Sequence, residues 1–489
     1  MPHRQTYHVQ LGPLNSHFGA DFPFSLRTYL AETMAIRVEG AHFMPAVQRG
    51  QWDGKIKYFG VATASFYTGL LEWVEQLLRI RQIGVAVTTE RMPALRPRCP
   101  DVPSHVTLRD YQAQIVEDAL RRRRGIIQAA VNAGKTEIAL EIIRRLRLTT
   151  LYIVPTKALY DQALEAMETR LPDLPCGEIR DGPTFEPQLV TVAMIQSLVR
   201  MLSPGGSDTA RRWIKSVECI ISDECHHSGG QRWSLPFKRS TGAQYRFGLS
   251  ATPLGMGKVR DTLLIGLTGP VFGAVTTPEL VKRGLSVQTE VRFIAYTSLA
   301  GQLTEFTGKD YAIIYQLGIE ENAPRALAGL GAIRPHLQAG QRVCLFVDTI
   351  DHGDFLRHDS QQRLAGTPAL LPQLLYGSEP PTRRREILNR FTRAERPFLI
   401  TTLLKEGVNI PEIDVLVNAG GRKSEWLTRQ QGGRVLRTRA GKTLAIIYDF
   451  IDGAHALLLD ATAERHRAYR KEGFTVTVVK VDRRTGEPQ

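Results

Sequence analysis

Between about residues 107 and 450, short apolar runs alternate with longer amphipathic stretches. The runs fall at residues 125–130, 151–154, 189–193, 219–222, 247–249, 342–347, 398–402 and 447–450. Runs of this length without polar alternation read as strands buried on both faces. The stretches between them carry apolar positions at helical spacing. Strand and helix in alternation predict an α/β fold, a parallel sheet with helices on both faces. Functional loops of such a fold lie at the carboxyl ends of its strands.

Residues 1–91 follow another pattern. Aromatic residues are interleaved with basic ones, as in Phe43, Trp52, Lys55, Lys57, Tyr58 and Phe59. Asp53-Gly54 before an alternating run at 55–59 predicts a β-hairpin. A helix is expected over 70–81, so this is a small α+β domain. Residues 92–106 hold Pro93, Pro97, Pro100 and Pro103 and read as a semi-rigid linker. The expected organisation is an accessory domain at 1–91, a linker at 92–106, a first lobe at 107–284 and a second at 285–489.

The first lobe opens with a helix for which Asp110 is the expected N-cap. The run at 125–130 leads into Val131-Asn132-Ala133-Gly134-Lys135-Thr136 and then an amphipathic helix. A tight turn between strand and helix aims backbone N–H groups at one point and adds the helix dipole, which makes a phosphate cradle. Lys135 would reach the terminal phosphates, and the Thr136 hydroxyl would hold Mg²⁺. Ala129 stands where the first glycine of that pattern falls. The strand at 219–222 ends in Asp223-Glu224, a carboxylate pair suited to holding Mg²⁺ and activating water. Gln112, one turn into the preceding helix, could read an adenine edge. A second Gly-Lys-Thr, at 441–443, precedes a strand rather than a helix and reads as a basic turn.

Composition narrows the partner. The 489 residues carry a net charge of +14, which favours a polyanion. Five widely spaced cysteines form no Cys-x-x-Cys pair and read as reduced thiols of a cytosolic protein. The most apolar stretch, 263–275, is too short and too rich in Gly and Pro to span a bilayer.

Asp223-Glu224-Cys225-His226 followed by Ser250-Ala251-Thr252 resembles superfamily 2 helicases of the DExH type. Other landmarks occur in the family's order. Gln112 resembles the Q motif, Lys135 and Thr136 motif I, Pro155-Thr156-Lys157 motif Ia, and residues 191–197 motif Ib. Residues 342–347 resemble motif IV. Residues 406–411 resemble motif V, with Asn409 where an Asp is common, and Gln430, Arg434 and Arg437 are in register with motif VI. Within the family, the compact motor and the small N-terminal unit are similar to phage branch-migration helicases of the UvsW group, and more distantly to the XPB and RecG groups.

The resemblance implies two RecA-like parallel-sheet lobes with ATP and Mg²⁺ between them. It implies catalytic roles for Lys135, Asp223, Glu224, Gln430, Arg434 and Arg437, and nucleotide contacts from Arg109, Gln112, Asn132, Ala133, Gly134, Lys135, Thr136 and Gly407. Thr136 and Asp223 would be the metal ligands. Ser250 and Thr252 would couple hydrolysis to the strand-binding face. Nucleic acid would contact Thr156, Lys157, Gln196, Ser197 and Thr402, with Lys55 and Lys57 added by the accessory domain. The expected activity is ATP-dependent unwinding or remodelling of branched DNA in the cytoplasm, in a phage-encoded case that of the host. An RNA helicase, the motor of a restriction system and a non-catalytic scaffold are the competing readings.

Overall fold

The computed structural model describes residues 5–89, 92–180, 184–230, 232–297, 303–364, 367, 370–403, 413–422, 442 and 444–487. The chain divides into two compact units, residues 1–129 with 134–274 and residues 275–489 with 130–133. The division thus falls at 274/275 rather than at the expected 284/285.

The first unit begins with a five-stranded sheet, in the order Phe59–Gly60, Ser65–Tyr67, Asn15–Phe18, Gln5–Gln10 and Ile83–Thr88. Helices Phe24–Thr33 and Leu71–Ile80 accompany it. Most aromatics of this region are its core: Phe18 stacks on Phe22 at 3.8 Å between centroids, and Tyr7, Phe59 and Phe66 are buried with them. The expected hairpin forms with a different partner. Lys55–Lys57 pairs antiparallel with Ala35–Arg37, not with a strand directly across Asp53-Gly54. The Asp53 carboxylate accepts the Lys55 backbone N–H at 3.0 Å, so the Asp-Gly turn only launches the strand.

This domain is not separate from the lobe that follows. Leu30, Leu70, Leu78, Leu263 and Leu267 belong to one apolar cluster. A Cβ on Gly69 would lie 2.0 Å from the Ile265 carbonyl oxygen, an approach only glycine permits. The half-buried Arg124 donates to the Pro13 carbonyl at 2.9 Å, and Tyr58 donates its hydroxyl to the Val259 carbonyl at 2.6 Å. The proline-rich segment is pinned as well. Arg98 pairs with Glu218, Gln244 donates to the Pro93 carbonyl, and Arg144 donates to that of Val102.

The first lobe is an eight-stranded sheet in the order Phe185–Glu186, Cys176–Ile179, Val190–Met194, Thr150–Val154, Cys219–Asp223, Tyr245–Ser250, Arg124–Ala129 and Val271–Val275. Its centre, from Cys176–Ile179 to Arg124–Ala129, is parallel throughout. Thr150–Val154 and Cys219–Asp223 are buried along their whole length, as strands covered by helices on both faces are.

The second unit holds a seven-stranded parallel sheet in the order Gln373–Leu375, Phe398–Thr401, Val343–Phe346, Val415–Asn418, Leu444–Phe450, Gln288–Ala295 and Thr475–Lys480. Each face has its own apolar cluster. Helix Ala323–Gln338 supplies Ala326, Leu330 and Ile333 to one, and helix Ala456–Lys471 supplies Tyr469 to the other. Among the described residues no helix is long and apolar enough to cross a membrane.

Candidate functional site

The phosphate-loop sequence takes the local geometry its residues allow. Strand Arg124–Ala129 ends, Asn132 and Gly134 adopt positive φ of 68° and 78°, and helix Lys135–Leu146 begins. Gly134 meets a second constraint: a Cβ there would come within 2.1 Å of the Gln112 amide nitrogen. Gln112 is therefore packed against the loop. Its carbonyl oxygen accepts the Arg109 backbone N–H at 2.8 Å, and Arg109, not Asp110, is the N-cap. The sequence favoured Asp110 on its side chain, but the bond from the Arg109 backbone N–H to the Gln112 side chain sets the helix start.

Two adjacent parallel strands deliver the carboxylates and their coupling group. Cys219–Asp223 is buried along its length, and the chain turns sharply at Glu224, which sits at φ 46°. That left-handed conformation is uncommon for a side chain with a Cβ and marks a site held by its surroundings. Asp223 accepts the Glu224 backbone N–H at 2.9 Å. Burial, and then the Glu224 carboxylate, push the Asp223 pKa above the usual carboxylate range. Lys135 Nζ stands 3.9 Å from Glu224 Oε1. A cation set beside Asp223 would relieve the charge that burial penalises, so the chemistry of this buried carboxylate suits a divalent metal.

Ser250, the last residue of the neighbouring strand, gathers the site. Its hydroxyl is 3.4 Å from Glu224 Oε2 and 3.1 Å from His226 Nδ1, and it accepts the Thr252 backbone N–H at 3.1 Å. Burial pushes His226 down to about 4, so its imidazole is neutral at physiological pH. Lys135, Glu224, His226, Ser250 and Thr252 are thus one connected set. His226 was read only as part of a motif, and its role as the link between Glu224 and Ser250 emerges from the geometry.

The expected nucleic-acid contacts of the first lobe also meet at strand ends. Thr156 caps helix Lys157–Arg170, with its hydroxyl 3.4 Å from the Leu159 N–H. Gln196 donates to the Pro155 carbonyl at 2.7 Å, which ties the two segments together. Lys157 and Gln196 are exposed, whereas Ser197 is buried, so its hydroxyl does not face solvent. Arg200 lies one turn beyond Gln196 on helix Ile195–Leu202. With Arg232, Trp233 and Phe185 it lines a surface groove that reading the sequence missed. The i, i+4 spacing of Gln196 and Arg200 was the available signal.

In the second unit Thr402 is half-buried, at the carboxyl end of strand Phe398–Thr401. Gly407, Gln430, Arg434 and Arg437 lie outside the described residues, as do Asn409 and most of the second Gly-Lys-Thr. Lys442 is described and donates to the Ile413 carbonyl at 2.6 Å, just before strand Leu444–Phe450. The sequence did not signal a buried charge network here. Arg325 pairs with Asp452 at 2.8 Å, and Arg465 pairs with Asp449 and Asp452 at 3.0 Å each. Arg325 and Arg465 also donate to the carbonyls of Ala419 and Gly421, beyond strand Val415–Asn418.

Two family descriptions match the chain in order: "Type III restriction enzyme, res subunit" over residues 105–255 and "Helicase conserved C-terminal domain" over 325–439. Together they span more than half of it. "DNA 3'-5' translocase XPB2" of Sulfurisphaera tokodaii is 25% identical over 381 residues, 71% of this chain and 82% of the relative. "ATP-dependent DNA helicase uvsW" of Enterobacteria phage T4 is 23% identical over 473 residues, 90% of this chain and 89% of the relative. In fold, the fragment of a putative HsdR subunit of a type I restriction enzyme from Vibrio vulnificus is similar, with a TM-score of 0.56 at 19% identity over 79% of this chain and 71% of that one. With the motif I, II and III side chains assembled at adjoining strand ends and both family matches falling in order, the chain belongs to the superfamily 2 helicases, ATP-dependent motors that act on nucleic acid.

Proposed function

We propose that this helicase acts on DNA, and that it unwinds or remodels branched structures such as forks, D-loops and Holliday junctions. The observation that carries the reading is the connected set Lys135–Glu224–Ser250–Thr252, which links a hydrolytic site to the loop beyond strand Tyr245–Ser250. The two long relatives, one named a DNA translocase and the other a DNA helicase, support DNA over RNA.

Lys135 would neutralise charge on the terminal phosphates of ATP, aided by the first N–H groups of helix Lys135–Leu146. Glu224 would take the proton of the attacking water. Thr136 and Asp223 would hold Mg²⁺, which supplies charge neutralisation on the phosphate oxygens. Arg434 and Arg437 would stabilise charge on the transferring phosphoryl, and Gln430 would position water. Loss or gain of the γ-phosphate would be read by Glu224 and passed through Ser250 to Thr252. Lys157 and Gln196 of the first unit, and Thr402 of the second, would track phosphate and sugar, contacts that carry no sequence preference.

The test is ATP turnover at fixed salt with no nucleic acid, single-stranded DNA, branched DNA and RNA. Greatest stimulation by branched DNA is expected, and stimulation by RNA alone would refute the reading. Glu224→Gln should lower turnover by about 10²–10⁴-fold, the range of a general base, while still binding ATP. Lys135→Ala should abolish turnover. A restriction motor is the second reading, favoured by the family description over residues 105–255. Cleavage of unmodified DNA by the chain with a nuclease subunit would support it.

A further inference from the structure

Residues 35–57 form a ribbon that the motor chemistry leaves unexplained. Strands Ala35–Arg37 and Lys55–Lys57 pair antiparallel, with Ala35 opposite Lys57, Ile36 opposite Ile56 and Arg37 opposite Lys55. Side chains alternate between the faces of a strand. One face therefore turns Ile36 and Ile56 toward the apolar cluster of the first unit, and the other presents Arg37, Lys55 and Lys57, all exposed. Arg37 and Lys55 are like charges directly opposite each other, an arrangement that destabilises a ladder. No ion pair within the described residues relieves it. A surface of this kind calls for a polyanion.

The ladder is extended by Val38, which donates to the Gly54 carbonyl at 2.8 Å, and the connection beyond it is folded, not loose. It runs through the short helical segments Ala41–Phe43 and Pro45–Gln48 and returns where Gln51 donates to the Ala46 carbonyl at 2.9 Å. This compact tip carries Phe43, at 73% exposure level with Phe24 and Ile80 among the most exposed large apolar side chains of the described residues, and beside it in sequence Met44 at 40%. The His42 ring lies against that of Phe43, with centroids 3.9 Å apart. Leaving an aromatic so exposed wastes its burial, unless it meets another flat apolar surface. Cations along a ribbon with an aromatic at its end match a sugar-phosphate backbone with an unpaired base beside it.

The base of the ribbon is tied to the hydrolytic site. Tyr58, next after the second strand, donates its hydroxyl to the Val259 carbonyl in helix Lys258–Thr268. That helix follows Thr252, and it also packs on the turn after Glu224. A Cβ on Gly229 would lie 2.5 Å from the Arg260 carbonyl oxygen.

We propose that the tip of this ribbon stacks Phe43 on the first unpaired nucleobase at a DNA fork, while Arg37, Lys55 and Lys57 grip the adjoining phosphates. This rests on the DNA reading above. It adds a site at the point where strands separate and a mechanical route, through helix Lys258–Thr268, from Glu224 and Ser250 to that point.

The test uses the full chain and a forked duplex with 5-iodouracil at the first unpaired position. Irradiation should join the base to Phe43, as peptide mapping would show. By fluorescence anisotropy, Phe43→Ala should weaken fork binding by roughly 5- to 100-fold, the range one base–aromatic stack carries, and erase the preference for fork over plain duplex. Phe43→Tyr should restore it. An unchanged thermal midpoint for both variants verifies folding. Combined Arg37→Gln, Lys55→Gln and Lys57→Gln should flatten the salt dependence of binding by about 2–3 units of log–log slope. Equal fork binding by Phe43→Ala and the parent, or a crosslink outside residues 37–57, overturns the proposal. Absence of DNA-stimulated ATP turnover in the parent would instead remove the function proposed above, while the binding ratio still decides the tip.

Discussion

Single side chains at the hydrolytic site do more than their motif letters state. The sequence picked out Lys135, Asp223 and Glu224 from the chemistry of phosphate and water, and Ser250 from the family resemblance, and the structure brings Lys135, Glu224 and Ser250 together. Gln112 stood out as a motif position, but its bond back to the Arg109 N–H did not, because a side-chain bond to a backbone N–H leaves no periodic trace. His352 was not legible at all. It lines a small enclosed space with Ile319, Arg325, Leu345 and Phe450. Burial, and then the Arg325 charge, push it down to about 3. The unfolded chain takes up this proton below about pH 6.5, and the folded chain does not until far lower pH. Stability from this group is therefore complete above pH 7 and falls by about 1.4 kcal/mol per unit as pH drops below 6.5. Urea unfolding at pH 7.0 and pH 5.5 should show a smaller pH difference for His352→Gln than for the parent.

Elements were legible where local pattern decides them and not where distant pairing does. The apolar runs of both parallel sheets stood out because burial on two faces leaves no alternation. The ribbon strand at 55–57 was found, but its partner was misassigned, since Asp-Gly so often closes a two-residue hairpin. In the second unit, strand Leu444–Phe450 carries Asp449 among apolar neighbours, and helix Ala456–Lys471 brings Arg465 to meet it. Both are almost wholly buried. Removing one partner of such a set strands the other charge without water, at about 3–5 kcal/mol. Arg465→Met should lower the denaturation midpoint accordingly. Replacing Asp449 by Asn in the same chain should recover some of the loss, as a double-mutant cycle would show.

For the whole molecule, charge and length pointed to a polyanion-binding chain of several domains, and the chain divides into two compact units. The first domain belongs to the same unit as the lobe that follows it. Residues 1–91 read as separate because their periodicity and composition change at the proline-rich segment, yet the apolar cluster runs across that boundary through Leu263 and Leu267. Sequence pattern reports which positions are buried, not which segment buries them. A chain lacking residues 1–89 should expose this surface, unfold at a temperature several degrees lower and aggregate more readily. Scanning calorimetry and light scattering would check this.

The close approach of Gly69 to the Ile265 carbonyl has a practical corollary for protein engineering. An accessory domain joined by a tether can be exchanged by recombining genes within the tether. Here a crossover at residues 92–106 would divide a pair of surfaces moulded to one another at backbone contact. A functional chimera would need both sides of the seam from the same parent, the segment around Gly69 together with helix Lys258–Thr268. The two would therefore have to diversify as one inherited block.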